Sequence, residues 1–487
     1  MKTRTFLTLA LAALLLAGLL AGCNVNVNTD SAGDPNASPA EEGGEPSPLP
    51  EGNEEQINNN PDGNIQGGEV EGPANEGIPS DAKYQKDIVI EPGKYEGKEL
   101  VMWTWWDMGE EDQENIARFE AATGCKITYV NKQYEVYGAD LVKAVGTGDG
   151  PDICYFGSEA IPAYVTKGFL IPVSDYLDMS KVSFETSQSV IDYFTFNGKL
   201  YVVPDTGPST SKLYFRKDLF ANASVDNPYD LWKAGNWTWD EFVRIGQEVR
   251  SDVDGDGEFD IWGYYSWQQE QLLYSNGANY VQWVDGNPTE GLSDPKAIRA
   301  MEWDRALNEQ YGIVAPYDPD LDPTAMLIAG KIAMMYWGDW LLYGEDGLRT
   351  QLGDNLGIAP FPKGPDATAP FGDAAAATKE GIAACAKEPE LAALFLLYKR
   401  LPANEEEEAE NNTKAEADRI RDFGSLEVYE MCLEMANYAI TNPCPGFTGL
   451  QNIVDAVRNA ADMTPAQAIE AYKAAAQGYI DRTWIPE

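Results

Sequence analysis

Aromatic rings and carboxylates are interleaved in two short runs of this 487-residue chain, Trp103-Thr104-Trp105-Trp106-Asp107 and Tyr336-Trp337-Gly338-Asp339-Trp340. A flat ring offers an apolar face to the C–H surface of a solute, and a carboxylate beside it accepts several hydrogen bonds at once. That chemistry is stacking and hydrogen bonding, without bond cleavage. Trp105, Trp106, Asp107, Trp337, Asp339 and Trp340 are therefore the first candidate contacts, with Tyr155, Phe156 and Phe447 behind them. Asp339 is open to a second role, capping the following helix. Asp205 is equally open to a ligand or a hinge role. In an extended strand Trp103 and Trp105 share one face and Trp106 takes the other, so one or two of the three belong to the core. Trp237 and Trp239 belong to a helix start and read as packing.

A separate acidic loop runs Asp252-Val253-Asp254-Gly255-Asp256-Gly257-Glu258-Phe259-Asp260. Oxygen ligands at positions 1, 3, 5 and 9 with glycine at position 6 follow the first three quarters of a calcium-binding loop. Position 12 is Gly263, so the usual bidentate glutamate is missing. A structural Ca2+ on Asp252, Asp254, Asp256 and Asp260 would relieve repulsion among these carboxylates. No other cofactor is required.

Composition narrows the remaining chemistry. The chain has no histidine, which removes Ser-His-Asp and Cys-His catalysis and every imidazole-ligated metal site. Its 35 Lys and Arg against 79 Asp and Glu leave a net charge of −44, which opposes any nucleic-acid partner.

Elements that position the two aromatic runs follow from hydrophobic period and punctuation. Residues 99–106 read as a strand, 111–122 as a helix ending at Gly124, 126–131 and 153–156 as strands, and 140–145 as a helix. Strand and helix in alternation with short connections argue for a parallel α/β architecture, in which sites lie beyond the carboxyl ends of strands. Further on, 213–215 and 332–335 read as buried strands, 239–249 as a helix capped by Thr238 or Asp240, and 295–307 and 388–400 as helices. The stretch 381–384 is a short apolar segment, and 405–484 is almost wholly helical in pattern, its 405–408 glutamate run suiting a helix start.

The amino terminus has the form of an export signal: Lys2 and Arg4, then an apolar run over 6–20 that is short for a membrane span. Leu20-Ala21-Gly22-Cys23 resembles the bacterial lipobox, which implies cleavage before Cys23 and a diacylglycerol on its thiol, an anchor that two acyl chains make durable. Residues 24–82 carry 13 acidic, no basic and no aromatic residues, the composition of a tether that cannot bury a core. Cys125, Cys154, Cys385, Cys432 and Cys444 remain, an odd number that reads as buried free thiols.

Ordered motifs then bring in a family. Gly97-Lys98 before the first aromatic run, Gly150-Pro151-Asp152-Ile153, Gly168-Phe169-Leu170, Asn197-Gly198-Lys199-Leu200-Tyr201, Tyr214-Phe215-Arg216-Lys217-Asp218-Leu219, Trp237-Thr238-Trp239, Gly330-Lys331-Ile332-Ala333-Met334 and Ala359-Pro360-Phe361-Pro362-Lys363-Gly364 stand in sequence. Together they resemble the carbohydrate-binding class of extracellular solute-binding proteins of ABC transporters, the class that includes maltose-binding protein. The resemblance implies an α/β, two-lobe periplasmic-binding-protein-like fold with a ligand cleft between the lobes. It divides the chain into a lipoprotein signal peptide at 1–22, a disordered acidic tether at 23–83, lobe one at 84–206 and 368–402, and lobe two at 207–367 and 403–487. It implies a monomeric binding protein, not an enzyme, anchored by lipid on the extracytoplasmic face of the bacterial cell membrane. By hinge closure it would deliver a neutral sugar or oligosaccharide to ABC permease subunits that are separate chains. In that family an aromatic near Trp337 and Trp340 stacks on the sugar. Two alternatives stay open: a same-fold binding protein for a polyamine or peptide, and a secreted carboxylate-dependent glycoside hydrolase.

Overall fold

The computed structural model describes residues 82–156, 160–177, 188–203, 211–265, 270–284, 287–316, 322–373, 379–440, 442–447 and 449–484. The signal segment, Cys23, the tether to residue 81 and Asp205 lie outside the described residues. All described residues belong to one unit of the chain, Asn59–Glu487.

Two mixed sheets organise it. The first is six-stranded and follows the order Lys126–Asn131, Glu99–Thr104, Ile153–Phe156, Lys379–Ala383, Leu170–Ile171, with Val202–Val203 also paired to Lys379–Ala383. Its first three strands are parallel, the expected βα alternation: helices Glu110–Thr123 and Tyr134–Thr147 lie between them in sequence, each closed by a left-handed glycine, Gly124 or Gly148. The first strand stops at Thr104, two residues short of the expected 106, so Trp105 and Trp106 stand in the bend beyond it. The second helix is longer than the expected 140–145. Its amino-terminal half contributes Tyr137 to a buried stripe that continues through Leu141 and Val145.

The sheet departs from the expected all-parallel form at Lys379–Ala383, which runs antiparallel to Ile153–Phe156. This strand enters after a long excursion through the second lobe instead of through a short helical crossover, so no βαβ connection forces it parallel. Around this sheet Leu100, Phe119, Ile153, Cys154, Ile382 and Phe395 form a closed core.

The second sheet has four strands in the order Leu356–Ala359, Lys212–Arg216, Ile332–Trp337, Trp262–Tyr265. Lys212–Arg216 is antiparallel to both neighbours, while Ile332–Trp337 and Trp262–Tyr265 run parallel. Its core includes Leu213, Phe215, Phe242, Met334, Tyr336 and Phe361. Trp237 and Trp239 are packing residues here: Trp239 stacks on Trp303 at 4.1 Å, and each indole N–H donates to a buried oxygen, of Pro360 or Ser275. Thr238 is the cap of helix Trp239–Glu248, accepting from the Glu241 amide.

The carboxyl-terminal part is less continuous than its sequence pattern. Helices Glu405–Phe423, Leu426–Ala436, Leu450–Arg458 and Pro465–Trp484 are separated by turns and by a short strand, Ala439–Ile440. The glutamate run does open the first of them, where Asn404 caps the amides of Glu406 and Glu407. The five described cysteines are free, and burial pushes each thiol up, Cys432 to about 11. Among the described residues no helix is long and apolar enough to cross a membrane.

Candidate functional site

Each sheet carries an aromatic cluster just past the carboxyl end of an interior strand. In the first lobe the Tyr129 hydroxyl donates to the Trp106 carbonyl at 2.6 Å, pinning the bend that follows Thr104. The indoles of Trp105 and Trp106 then meet edge to face, with centroids 5.1 Å apart and planes at 88°. Trp105 also contacts Tyr137 at 4.8 Å and the exposed Tyr134 at 5.7 Å, and Trp106 contacts Tyr155 at 4.2 Å. Both tryptophans are half-buried, with one side in the core and the other accessible. Asp107 is exposed beside them and accepts from the Asn131 amide at 2.7 Å. Phe156, by contrast, is 1% exposed and belongs to the core.

Beneath this cluster lies Glu380, fully buried, which no periodicity in the sequence marks. Its carboxylate accepts from the Tyr155 hydroxyl at 2.7 Å, from Lys399 Nζ at 2.6 Å and from Arg400 Nη2 at 3.3 Å. Burial pushes the Glu380 carboxyl up, but Lys399 and Arg400 outweigh burial and hold it below the usual range.

In the second lobe the chain leaves strand Ile332–Trp337 through Gly338, whose carbonyl accepts from the Tyr214 hydroxyl at 3.0 Å. A short turn, Asp339–Leu342, follows and turns the 44%-exposed Trp340 outward. Trp337 is half-buried. Gly338, which has no side chain to cap with, stands at the start of this turn, and Asp339 is its first residue. Asp339 lies 3.5 Å from Lys212 Nζ, a pair whose side chains are only 15% and 4% exposed.

The structure thus gathers Trp105, Trp106, Tyr155 and Asp107 in one group, and Trp337, Asp339 and Trp340 in another. Phe447 joins neither: it is 1% exposed in the core of the second lobe, among the late helices. Sequence reasoning missed Tyr134, Tyr137, Glu380 and Lys212. The tyrosines' spacing of three on one helix face was a usable signal; the two buried charges had none.

In the acidic loop the carboxylates of Asp252, Asp254 and Asp260 lie within 4.8 Å of one another. Asp252 also accepts from the Gly255 and Gly257 amides, and Asp260 from Val253. Asp256 accepts from the Glu258 amide and stands apart from the three. Glycines at φ +79° and +97° let the loop turn back on itself.

The sequence profile of the bacterial extracellular solute-binding proteins matches residues 105–398, more than half of the chain. The chain belongs to this family. Membership makes it a binding protein and not a hydrolase, and places its binding part outside the cytoplasm. A binding protein of Brucella abortus is 25% identical over 267 residues, 51% of this chain and 58% of that one. The chain therefore spans less than two thirds of the curated relatives it matches. Among solved structures of solute-binding proteins, one from Listeria monocytogenes in complex with cycloalternan aligns with TM-score 0.58 and 19% identity over 80% of this chain and 99% of that one. Another, from Bdellovibrio bacteriovorus bound to maltotriose, aligns with TM-score 0.56 and 18% identity over 79% and 99%. At these identities the likeness is one of fold: two α/β lobes of the periplasmic-binding-protein type.

Proposed function

We propose that the protein is the lipid-anchored solute-binding subunit of an ABC importer, capturing a neutral oligosaccharide by closure of its lobes and delivering it to permease subunits in the membrane. The observation that carries this reading is the pairing of two accessible aromatic clusters with carboxylates, of which Asp339 and Glu380 are already matched by cations and Asp107 is held by the Asn131 amide. Indole faces at Trp105, Trp106 and Trp340 suit the C–H faces of sugar rings, and Asp107 and Asp339 suit their hydroxyls. Solutes in complex with structurally similar proteins, cycloalternan and maltotriose, are oligosaccharides. A polyamine would instead need carboxylates free to neutralise its charge. Asp339 faces the buried Lys212, and Glu380 faces Lys399 and Arg400, so the acidic groups nearest the rings are largely compensated.

Anchoring at Cys23 and reach through the 24–82 tether rest on the lipobox-like run and on composition. We also propose that Asp252, Asp254 and Asp260 hold a structural Ca2+, a reading supported by the convergence of their oxygens. Thermal unfolding of the full-length protein with maltotriose, mannotriose and spermidine tests the ligand class. A sugar at 100 times its Kd should stabilise by about 2.7 kcal/mol, raising Tm, with no shift from spermidine. A shift with spermidine alone would sink the oligosaccharide reading.

A further inference from the structure

Glu380 occupies an unusual place for a buried charge. It sits near the start of strand Lys379–Ala383, directly opposite Tyr155 in the antiparallel register with Ile153–Phe156. Its two cations, Lys399 and Arg400, come from the turn that ends helix Pro389–Tyr398. Lys399 Nζ also lies 3.8 Å from Asp112 Oδ1, in the first turn of helix Glu110–Thr123, the element that follows the first aromatic run. One network therefore joins the strand behind the cluster, the helix after it and, through the Tyr155 hydroxyl, the ring that touches Trp106.

A buried ion pair adds little stability over apolar packing of the same shape, whereas its fixed geometry can specify the orientation of what it binds. Tyr155 is where that specification acts. The strand fixes its Cβ, but the ring can still swing among the rotamers of its first side-chain torsion until the hydroxyl at its far end is held. With the hydroxyl held at 2.7 Å by a carboxylate clamped between two cations, the axis of the ring has one direction left. That orientation lays it against Trp106 with planes at 72°, and Trp106 in turn meets Trp105 at 88°.

We propose that Glu380 is a positioning residue for ligand binding: through the Tyr155 hydroxyl it sets the angle of the Trp105–Trp106 platform. This rests on reading those indoles as a sugar platform, but the platform's geometry can be measured without any sugar.

The test uses the full-length protein as wild type, Tyr155→Phe, Glu380→Gln and the reference variant Trp106→Phe. Two indoles 5.1 Å apart give an exciton couplet in circular dichroism, assigned by its loss in Trp106→Phe. Both Tyr155→Phe and Glu380→Gln should diminish that couplet in the ligand-free protein. Both should also raise Kd for maltotriose about tenfold, the double variant being no worse than the weaker-binding single one, because the two act in series. A wild-type couplet and wild-type affinity in both variants, even with a lowered Tm, would overturn the proposal by leaving Glu380 a structural role only. If wild type does not bind maltotriose, the couplet alone decides the positioning role, and the ligand reading is what that binding result counts against. If Glu380→Gln does not fold, Tyr155→Phe, which leaves the carboxylate with both cations, decides it.

Discussion

A Cβ added at Gly338 would lie 1.9 Å from the Trp340 ring, because the indole folds back over the backbone two residues before it. Gly338→Ala should therefore push an exposed ring out of place while disturbing little else. Binding of the cognate sugar should weaken by about 1 kcal/mol, as expected for losing one aromatic contact. Stability should change by less than about 1 kcal/mol, since the displaced ring is the far end of a side chain with room to move. Calorimetry beside a urea melt checks both, and unchanged affinity would argue against Trp340 as a stacking residue. The candidate tryptophans were legible in the sequence because a run of rings beside carboxylates is unusual enough to stand out. What flanks them was not. Lys212 opens a strand whose next three residues are apolar and aromatic, and nothing in that pattern says its ammonium turns inward to Asp339. Phe447 shows the converse: a ring in a loop between helices looks available, yet the packing of the late helices buries it.

Among the elements, periodicity served best where local geometry alone decides. The strand at Lys126–Asn131 and the strand at Ile153–Phe156 coincide with their expected bounds, since a glycine turn precedes each, at Gly124 and at Gly148. The direction of Lys379–Ala383 was beyond reach, because parallel or antiparallel pairing depends on where the chain has been, not on the five residues themselves. The acidic loop is another element-scale feature, stapled at its base by the bridge between Ser251 and Ile261. If Ca2+ at tenfold its Kd binds only the folded loop, it should add about 1.4 kcal/mol to stability. Melts with Ca2+ and with a chelator should differ in wild type and coincide in Asp254→Ala. A melting temperature indifferent to calcium in wild type would dispose of the site.

For the whole molecule, the carboxyls held by cations predict a direction of pH dependence. Burial alone would raise Glu380 and Glu407, but Lys399 and Arg400 in one case and Arg118 in the other bring them below their ordinary range, and a hydrogen bond from Lys94 lowers Glu390. A carboxyl whose folded pKa lies below the unfolded value of about 4.3 contributes stability that is complete above that value and lost as pH falls through the folded pKa. Asp304 works the other way, raised by burial against the pull of Arg458, and so favours the folded state in acid. With Asp218, Glu405 and Glu427 also lowered by cationic or hydrogen-bonding partners and Asp304 alone raised among the described carboxyls, urea-unfolding stability should be level near neutrality and fall below about pH 4. Stability that rises on acidification would contradict the ion pairs around Glu380.

Composition and local pattern settled what depends on near neighbours: the absence of imidazole chemistry, the βα alternation of the first lobe, and the presence of ring-rich segments at strand ends. Those properties are local, carried by residue type and a spacing of a few positions. The tertiary structure alone decided which rings stay accessible, which carboxylates are neutralised, and that residues 155, 380 and 399 act as one group. Such pairings join positions up to 225 apart in sequence, brought together only when the chain returns from the second lobe to the first sheet, where low dielectric makes an uncompensated charge costly enough to dictate its partners.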